Sequence, residues 1–257
     1  MAKIIAVANQ KGGVGKTTTS VNLAACLGAL DKKTLLIDVD PQGNATSGVA
    51  IDRRKIENSS YTLLVEGIKA EQCILTTAYK NLHILPSSLD LAAAELEIVD
   101  LPHREQRLKS GVISVKKDYD YIIIDCPPSL GLITTNALTF ADSILVPIQC
   151  EYYALEGLSQ LMNSVRRVKR TYNDALEIEG VLLTMYDARL NLTQQVVAEI
   201  KKFFPRKVFK TVIPRGVRLS EAPSFGMPVI YYDKSCKGSL AYTELAREII
   251  EKERLYG

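Results

Sequence analysis

Tryptophan is absent from this 257-residue chain, histidine occurs only twice, and its five cysteines are scattered singly. Cys26, Cys73, Cys126, Cys150 and Cys236 are odd in number and never fall at CxxC spacing. That excludes a disulfide framework, a zinc ribbon and a thioredoxin-type redox site, leaving core or loop thiols. No apolar run approaches the roughly 18 residues that a bilayer demands, and the stretch Ile4–Ala8 is too short for a secretory leader. Internal repeats, low-complexity tracts and long linkers are missing too. His83 and His103 stand alone, and Ser129 and Thr134 have no histidine in any visible motif, so acyl transfer has no support. The expectation is a soluble protein of a reducing compartment.

What is present is ordinary globular material, 47% hydrophobic and 24% charged. At this length one α/β domain spanning residues 1–257 is expected. The net charge of +3 hides an asymmetry. Residues 163–218 carry 12 Lys/Arg against 5 Asp/Glu, while the flanking segments are weakly acidic. A basic sector of this kind suits a polyanion such as a nucleic-acid backbone, or is simply a set of solvated helix faces. Charge alone does not separate the two.

Hydrophobic periodicity predicts strands at Lys3–Ala8, Thr34–Val39, Leu82–Leu85, Tyr121–Ile124, Ser143–Ile148, Glu179–Met185 and Val208–Ile213. Between them it predicts helices at Thr17–Leu30, Leu89–Val99, Glu105–Ser110, Leu155–Tyr172, Thr193–Phe204 and Ser239–Arg254. Shorter helices are expected near Thr62–Glu66 and Ala70–Ile74, and Pro41–Ser47 reads as a polar loop. Short buried strands alternating with helices indicate a doubly wound, mostly parallel sheet flanked by helices.

The segment Lys11-Gly12-Gly13-Val14-Gly15-Lys16-Thr17-Thr18 carries the chemistry. It is a variant phosphate loop, because Gln10 stands where the first glycine of Gly-x4-Gly-Lys-Thr is expected. Glycines let successive backbone N–H groups converge on phosphate oxygens, and the following helix adds its positive N-terminus. Lys16 supplies a cation to the β- and γ-phosphates, and the Thr17 hydroxyl is placed to ligate Mg²⁺. Asp38 and Asp40 close the second strand, and Asp125 closes a strand of four apolar residues. In a parallel sheet those strand ends share an edge with the phosphate loop, so all three carboxylates can reach metal, water or phosphate. Asp125 has the character of a group that holds Mg²⁺ through its water shell. Asp40, opening an Asp-Pro-Gln-Gly-Asn loop, is the better candidate for orienting an attacking water.

With these segments the chain resembles the ParA/Soj branch of the deviant-Walker P-loop ATPases, a superfamily that includes MinD and the nitrogenase iron protein. The matching stretches are KGGVGKTTT (11–19), DVDPQGNATSG (38–48), IIIDCPPSLG (122–131), DARLNL (187–192) and PRGVRLSEAPSFG (214–226). The resemblance implies ATP and Mg²⁺ as ligands and ATP hydrolysis as the reaction. It implies that Lys11 crosses a nucleotide-sandwich homodimer, that Lys16 and Thr17 are ordinary phosphate and metal ligands, and that Asp40 carries hydrolysis. Asp38 would steady the loop, with Asp38, Asp40 and Asp125 grouped around the metal. The adenine would rest near Pro214, Arg215 and the residues up to Val217. Arg189 and Arg218 match positions that contact double-stranded DNA without sequence preference. The implied role is chromosome or plasmid partitioning in the cytoplasm on the nucleoid, with release triggered by a ParB-like centromere-binding partner.

Both arginines lie inside the basic sector, which agrees with this reading independently. No aromatic-rich platform accompanies the basic residues in sequence, which disfavours single-stranded or RNA recognition. Three glutamates and a thin apolar stripe at residues 247–257 argue against a MinD-like membrane anchor. No Gly-rich cysteine signature supports a shared iron–sulfur cluster. With the phosphate loop starting at Lys11, no N-terminal DNA-reading domain and no operator binding are expected.

Overall fold

The computed structural model describes residues 2–151 and 154–256. Strands β1 (Lys3–Val7), β2 (Thr34–Asp38), β3 (Leu75–Thr76), β4 (Leu82–Leu85), β5 (Tyr121–Asp125), β6 (Ser143–Gln149), β7 (Glu177–Tyr186) and β8 (Val208–Pro214) form one sheet. Their order is β3-β4-β2-β5-β1-β6-β7-β8, and every pairing is parallel except β3 with β4. The helices are α1 (Lys16–Ala29), α2 (Asn44–Ser47), α3 (Ala70–Cys73), α4 (Leu91–Glu97), α5 (Arg107–Val112), α6 (Leu132–Phe140), α7 (Ala154–Thr171), α8 (Asn191–Phe203), α9 (Val217–Glu221), α10 (Val229–Tyr232) and α11 (Lys237–Tyr256). The doubly wound parallel sheet expected from the sequence is the fold.

Alternation along the central strands explains the two layers. Ile4, Ala6, Leu35, Ile37, Ile122 and Ile124 pack on one face with Leu108, Ile133 and Leu161 from α5, α6 and α7. Ile5, Val7, Leu36, Ile123 and Leu145 pack on the other with Leu23, Leu27, Tyr242 and Ile249 from α1 and α11. Burying each such Ile or Leu is worth about 1.5–3 kcal/mol, so both faces drive the sandwich. The apolar stripe of α11 is thereby spent inside the fold, as its composition suggests, and no helix among the described residues is long and apolar enough to cross a membrane.

The structure departs from the sequence reading in particular places. Residues 44–47 of the expected polar loop form α2. Helix α6 was not expected, because LITTNALTF interrupts its Leu and Ala with Thr, Asn, Ile and Phe, all of lower helix propensity. Its polar side chains bond locally and across the fold: Thr135 Oγ1 to Gly131 O at 3.0 Å, and Asn136 Nδ2 to Arg104 O at 2.7 Å. Tertiary contacts therefore decide that helix. Strand β3 is a two-residue antiparallel edge immediately after α3, too short to show a period.

Candidate nucleotide site and basic surface

Strand β1 lies between β5 and β6; the chain leaves β1 into α1 on one face of the sheet and leaves β5 into α6 on the other, which creates a switch-point crevice at the strand C-termini. The phosphate loop fills that crevice. Gly13 and Gly15 adopt φ of 73° and 86°, left-handed values that a side chain strains to reach. Gly15 caps α1 without a side-chain hydrogen bond, so the helix's leading N–H groups are left for an anion. The loop is braced from outside: Thr184 Oγ1, on β7, donates to Val14 O at 2.8 Å. Asn9 donates to Pro147 O at 2.7 Å and accepts from the Lys11 N–H at 3.0 Å.

The two lysines of the loop face different ways. Lys16 is buried at 7% exposure, and its ammonium donates to Lys11 O at 3.1 Å. Burial lowers its pKa, while the charges of Asp125 and Asp40 oppose that shift. The Lys11 ammonium instead leaves the loop and pairs with Glu151 Oε2 at 2.6 Å.

The register places Asp38 directly beside Asp125 across β2 and β5. Both oxygens of Asp38 are committed to its own loop. Oδ1 accepts from the Asp40 N–H at 3.1 Å, and Oδ2 accepts from the N–H and hydroxyl of Thr46 at 2.8 and 2.7 Å. Asp125 Oδ1 accepts from Ser20 Oγ at 2.8 Å, but its buried Oδ2 has no hydrogen-bond partner. Burial pushes both carboxyl groups above the usual carboxylate range; the Asp38 charge adds to that at Asp125, while the bond from Ser20 opposes it. An orphaned buried carboxylate oxygen beside Thr17 fits the water shell of a bound Mg²⁺. The three aspartates do not form a three-carboxylate metal cluster: among the described residues there is none.

Asp40 Oδ1 accepts from the Gln42 N–H at 2.9 Å, and its carbonyl accepts from Ser87 Oγ at 2.7 Å. A cleft of about 370 Å³ brings Asp40 together with Gly12, Gly13, Lys16 and Thr17. A second, of about 200 Å³, is lined by Thr184, Ile213, Pro214, Arg215 and Tyr242. Gly15, Thr18 and Met185 line both, so a phosphate end and a base-sized end adjoin.

Ser20, Thr46, Ser87, Thr184 and Met185 were missed in the sequence. Ser20 lies one helical turn after Lys16 and could have been found by that spacing. Ser87 and Thr184 act on residues 47 and 170 positions away, and no local pattern announces them.

In the basic sector Arg189 is open, with its side chain 88% exposed and a 2.6 Å pair to Asp187. Arg218 pairs with Glu221 at 2.9 Å and Asp233 at 3.4 Å. It also lies over the Tyr232 ring, which stacks on the exposed ring of Phe225 with centroids 5.2 Å apart. Folding thus brings to Arg218 two rings 7 and 14 positions along the chain, a local contact that the sequence reading did not include.

A base-sized cleft continuous with a phosphate loop at a parallel-sheet switch point is the architecture of a P-loop ATPase. A family model described as an AAA domain matches residues 2–178. The chain is 58% identical to the sporulation initiation inhibitor protein Soj of Bacillus subtilis over 249 residues, 97% of this chain and 98% of the relative. It is 49% identical to the chromosome partitioning protein ParA of Myxococcus xanthus, covering 98% of this chain and 89% of that one. Among solved structures, cobyrinic acid a,c-diamide synthase of Mycobacterium smegmatis with bound ADP and magnesium superposes with TM-score 0.87 at 33% identity, over 99% of this chain and 96% of that one. The chain belongs to the ParA/Soj family of chromosome- and plasmid-partitioning ATPases.

Proposed function

We propose that this ATPase works as a nucleotide-gated DNA-binding dimer, residues 1–257 acting as one unit, in the cytoplasm on the nucleoid. ATP seats its phosphates on residues 11–18 and its base in the cleft at Pro214 and Arg215. Mg²⁺, when bound, spreads the charge of the β- and γ-phosphates, with Thr17 as ligand and Asp125 on its water shell. Lys16 neutralises the phosphates from within the same chain. Asp40 orients a water toward the γ-phosphorus. The water oxygen forms the new P–O bond, the bond to the β–γ bridging oxygen breaks, and ADP leaves with the electron pair. The water's proton ends on the released phosphate. Asp38 holds the loop that carries Asp40.

The observation that carries the dimer is the direction of Lys11. Its backbone is built into the phosphate loop while its ammonium points out to Glu151, leaving Lys16 as the internal cation. A loop lysine that does not serve its own phosphates is free to serve a second subunit's. Two arginines per chain, Arg189 and Arg218, become four on a dimer, which raises avidity for a DNA backbone. A ParB-like partner then triggers hydrolysis and release.

The likeness to the diamide synthase favours a second reading, a metabolic ATP-dependent ligase on the same scaffold. One experiment separates them: ATPase rate with and without duplex DNA, together with molecular mass in ATP and in ADP. DNA stimulation and an ATP-specific doubling of mass support partitioning. A monomer in ATP, indifferent to DNA, overturns it.

A further inference from the structure

The loop that carries Asp40 is gripped from a place the motifs do not include. Arg53 sits in a short turn beyond α2, 13 positions after Asp40 in the chain. Its guanidinium reaches back over the loop, donating from Nη1 to Gln42 O at 2.6 Å and from Nη2 to Pro41 O at 2.9 Å. Gly43 makes room for it: at φ 61° a Cβ would fall 2.5 Å from Arg53 Cζ and within 3 Å of two of its nitrogens. The glycine is therefore needed twice, for its left-handed backbone and for the guanidinium that lies where a side chain would stand.

The second of these bonds has a particular target. The Pro41 carbonyl and the Gln42 N–H belong to one peptide unit, and that N–H donates to Asp40 Oδ1 at 2.9 Å. A peptide is planar and rigid, so a donor fixed on its oxygen orients and polarises its N–H. The chain of contacts runs from Arg53 Nη2 through the Pro41–Gln42 peptide to the Asp40 carboxylate. At the other side of the residue, Ser87 Oγ holds the Asp40 carbonyl, and Asp38 Oδ1 holds its N–H. The backbone of Asp40 is thus pinned by Ser87 and Asp38, and the Gln42 N–H holds its carboxylate.

We infer that Arg53 is a positioning residue for hydrolysis, acting through the Pro41–Gln42 peptide to aim the Asp40 carboxylate. The inference rests on the reading of Asp40 as the group that orients the attacking water. Two planar bonds from one guanidinium fix both peptide carbonyls at once. A lysine, with a single ammonium on a flexible stem, replaces at most part of that grip. Misplacing a reacting group by about 1 Å can cost on the order of 10²-fold in rate, whereas nucleotide contacts on residues 11–18 are untouched. The effect therefore falls on kcat and spares KM.

The test is single-turnover hydrolysis of ATP with Mg²⁺ by the full chain, alongside nucleotide affinity from a fluorescent ATP analogue. Arg53→Ala should lower the rate about tenfold or more with affinity within about twofold, and Arg53→Lys should recover part of the loss. Gly43→Ala keeps the arginine but displaces its guanidinium, and should reproduce the slow phenotype. In an Asp40→Ala background, Arg53→Ala should add nothing further, because the group it aims is gone. If Asp40→Ala is slow while Arg53→Ala hydrolyses at the parent rate, the positioning role is overturned and the Asp40 reading stands. If Asp40→Ala itself hydrolyses at the parent rate, the Asp40 reading fails. Multiplicative losses in the double variant, or a weakened nucleotide affinity that accounts for the whole defect, also overturn the relay.

Discussion

The phosphate edge and the arginine sector, both proposed to present cations to phosphate, are built in opposite ways. Lys16 is 7% exposed and enclosed by backbone and carboxylates, whereas the Arg189 side chain is 88% exposed. Each proposed DNA contact is already paired with a carboxylate, Asp187 for Arg189 and Glu221 with Asp233 for Arg218. Exposed pairs of this kind are screened by water and salt and contribute little, so an arginine can exchange a carboxylate for a phosphate at little cost. A buried lysine has no such freedom. The contrast teaches that the nucleotide site is a preorganised cavity, while the proposed DNA surface is a screened, reversible one.

Breaking the buried side should have the largest effect. Lys16→Ala removes the internal cation and should abolish ATP binding in equilibrium dialysis, with loss of ATP-dependent dimerisation. Residual binding close to the parent level would remove Lys16 from the phosphate site.

The exposed side should be lost more selectively. Arg218→Glu should abolish duplex binding while ATP binding persists. Four phosphate contacts per dimer imply a log–log salt slope of roughly −3.6, and Arg189→Ala should make it shallower by roughly 2. Titrating both variants against two unrelated duplexes at several salt concentrations checks this. Parent-like affinity and slope, or a strong preference for one duplex, would contradict backbone contact.

The buried carboxylates sharpen the comparison through pH. Asp38 and Asp125 have folded pKa values raised above their unfolded ones, so the folded state holds protons that the unfolded chain has released. Their contribution is therefore most favourable below about pH 4 and is lost as pH rises through about 6 for Asp38 and about 8 for Asp125, the reverse of a salt-bridged aspartate. Chemical unfolding of nucleotide-free protein across this range should show that decline, and Asp125→Asn should flatten it. Added Mg²⁺ and ATP should flatten it as well, since a nearby cation favours the ionised form of Asp125. An unchanged slope in Asp125→Asn would remove that residue as its source.

The smallest effect is expected where the two kinds of site meet. The Lys11–Glu151 pair is half exposed, with the Glu151 side chain at 48%. Glu151→Gln should release Lys11 and strengthen ATP-dependent dimerisation about two- to fivefold by analytical ultracentrifugation. Weaker dimerisation would mean that Glu151 supports the interface instead of competing with it.

The phosphate loop, the strand-ending aspartates and the parallel sheet were legible from residue order alone. Their chemistry needs certain side chains at short fixed spacings, and buried parallel strands carry an apolar run that local sequence displays. Residues 44–47 and helix α6 were not legible, because Thr46 Oγ1 accepts from the Ser87 N–H and Asn136 donates to Arg104 O, partners 41 and 32 positions away. The same reason hides Ser87, Thr184 and the grip of Arg53 on the Asp40 loop. Also hidden is the stacking of Phe225 and Tyr232 beside Arg218, which the packing of α9 and the turn Ala222–Phe225 against α10 brings about. Motif spacing specifies which groups meet a phosphate; the directions of Lys11, Asp125 Oδ2 and Arg53 depend on hydrogen bonds and burial that exist only once distant segments have closed around them.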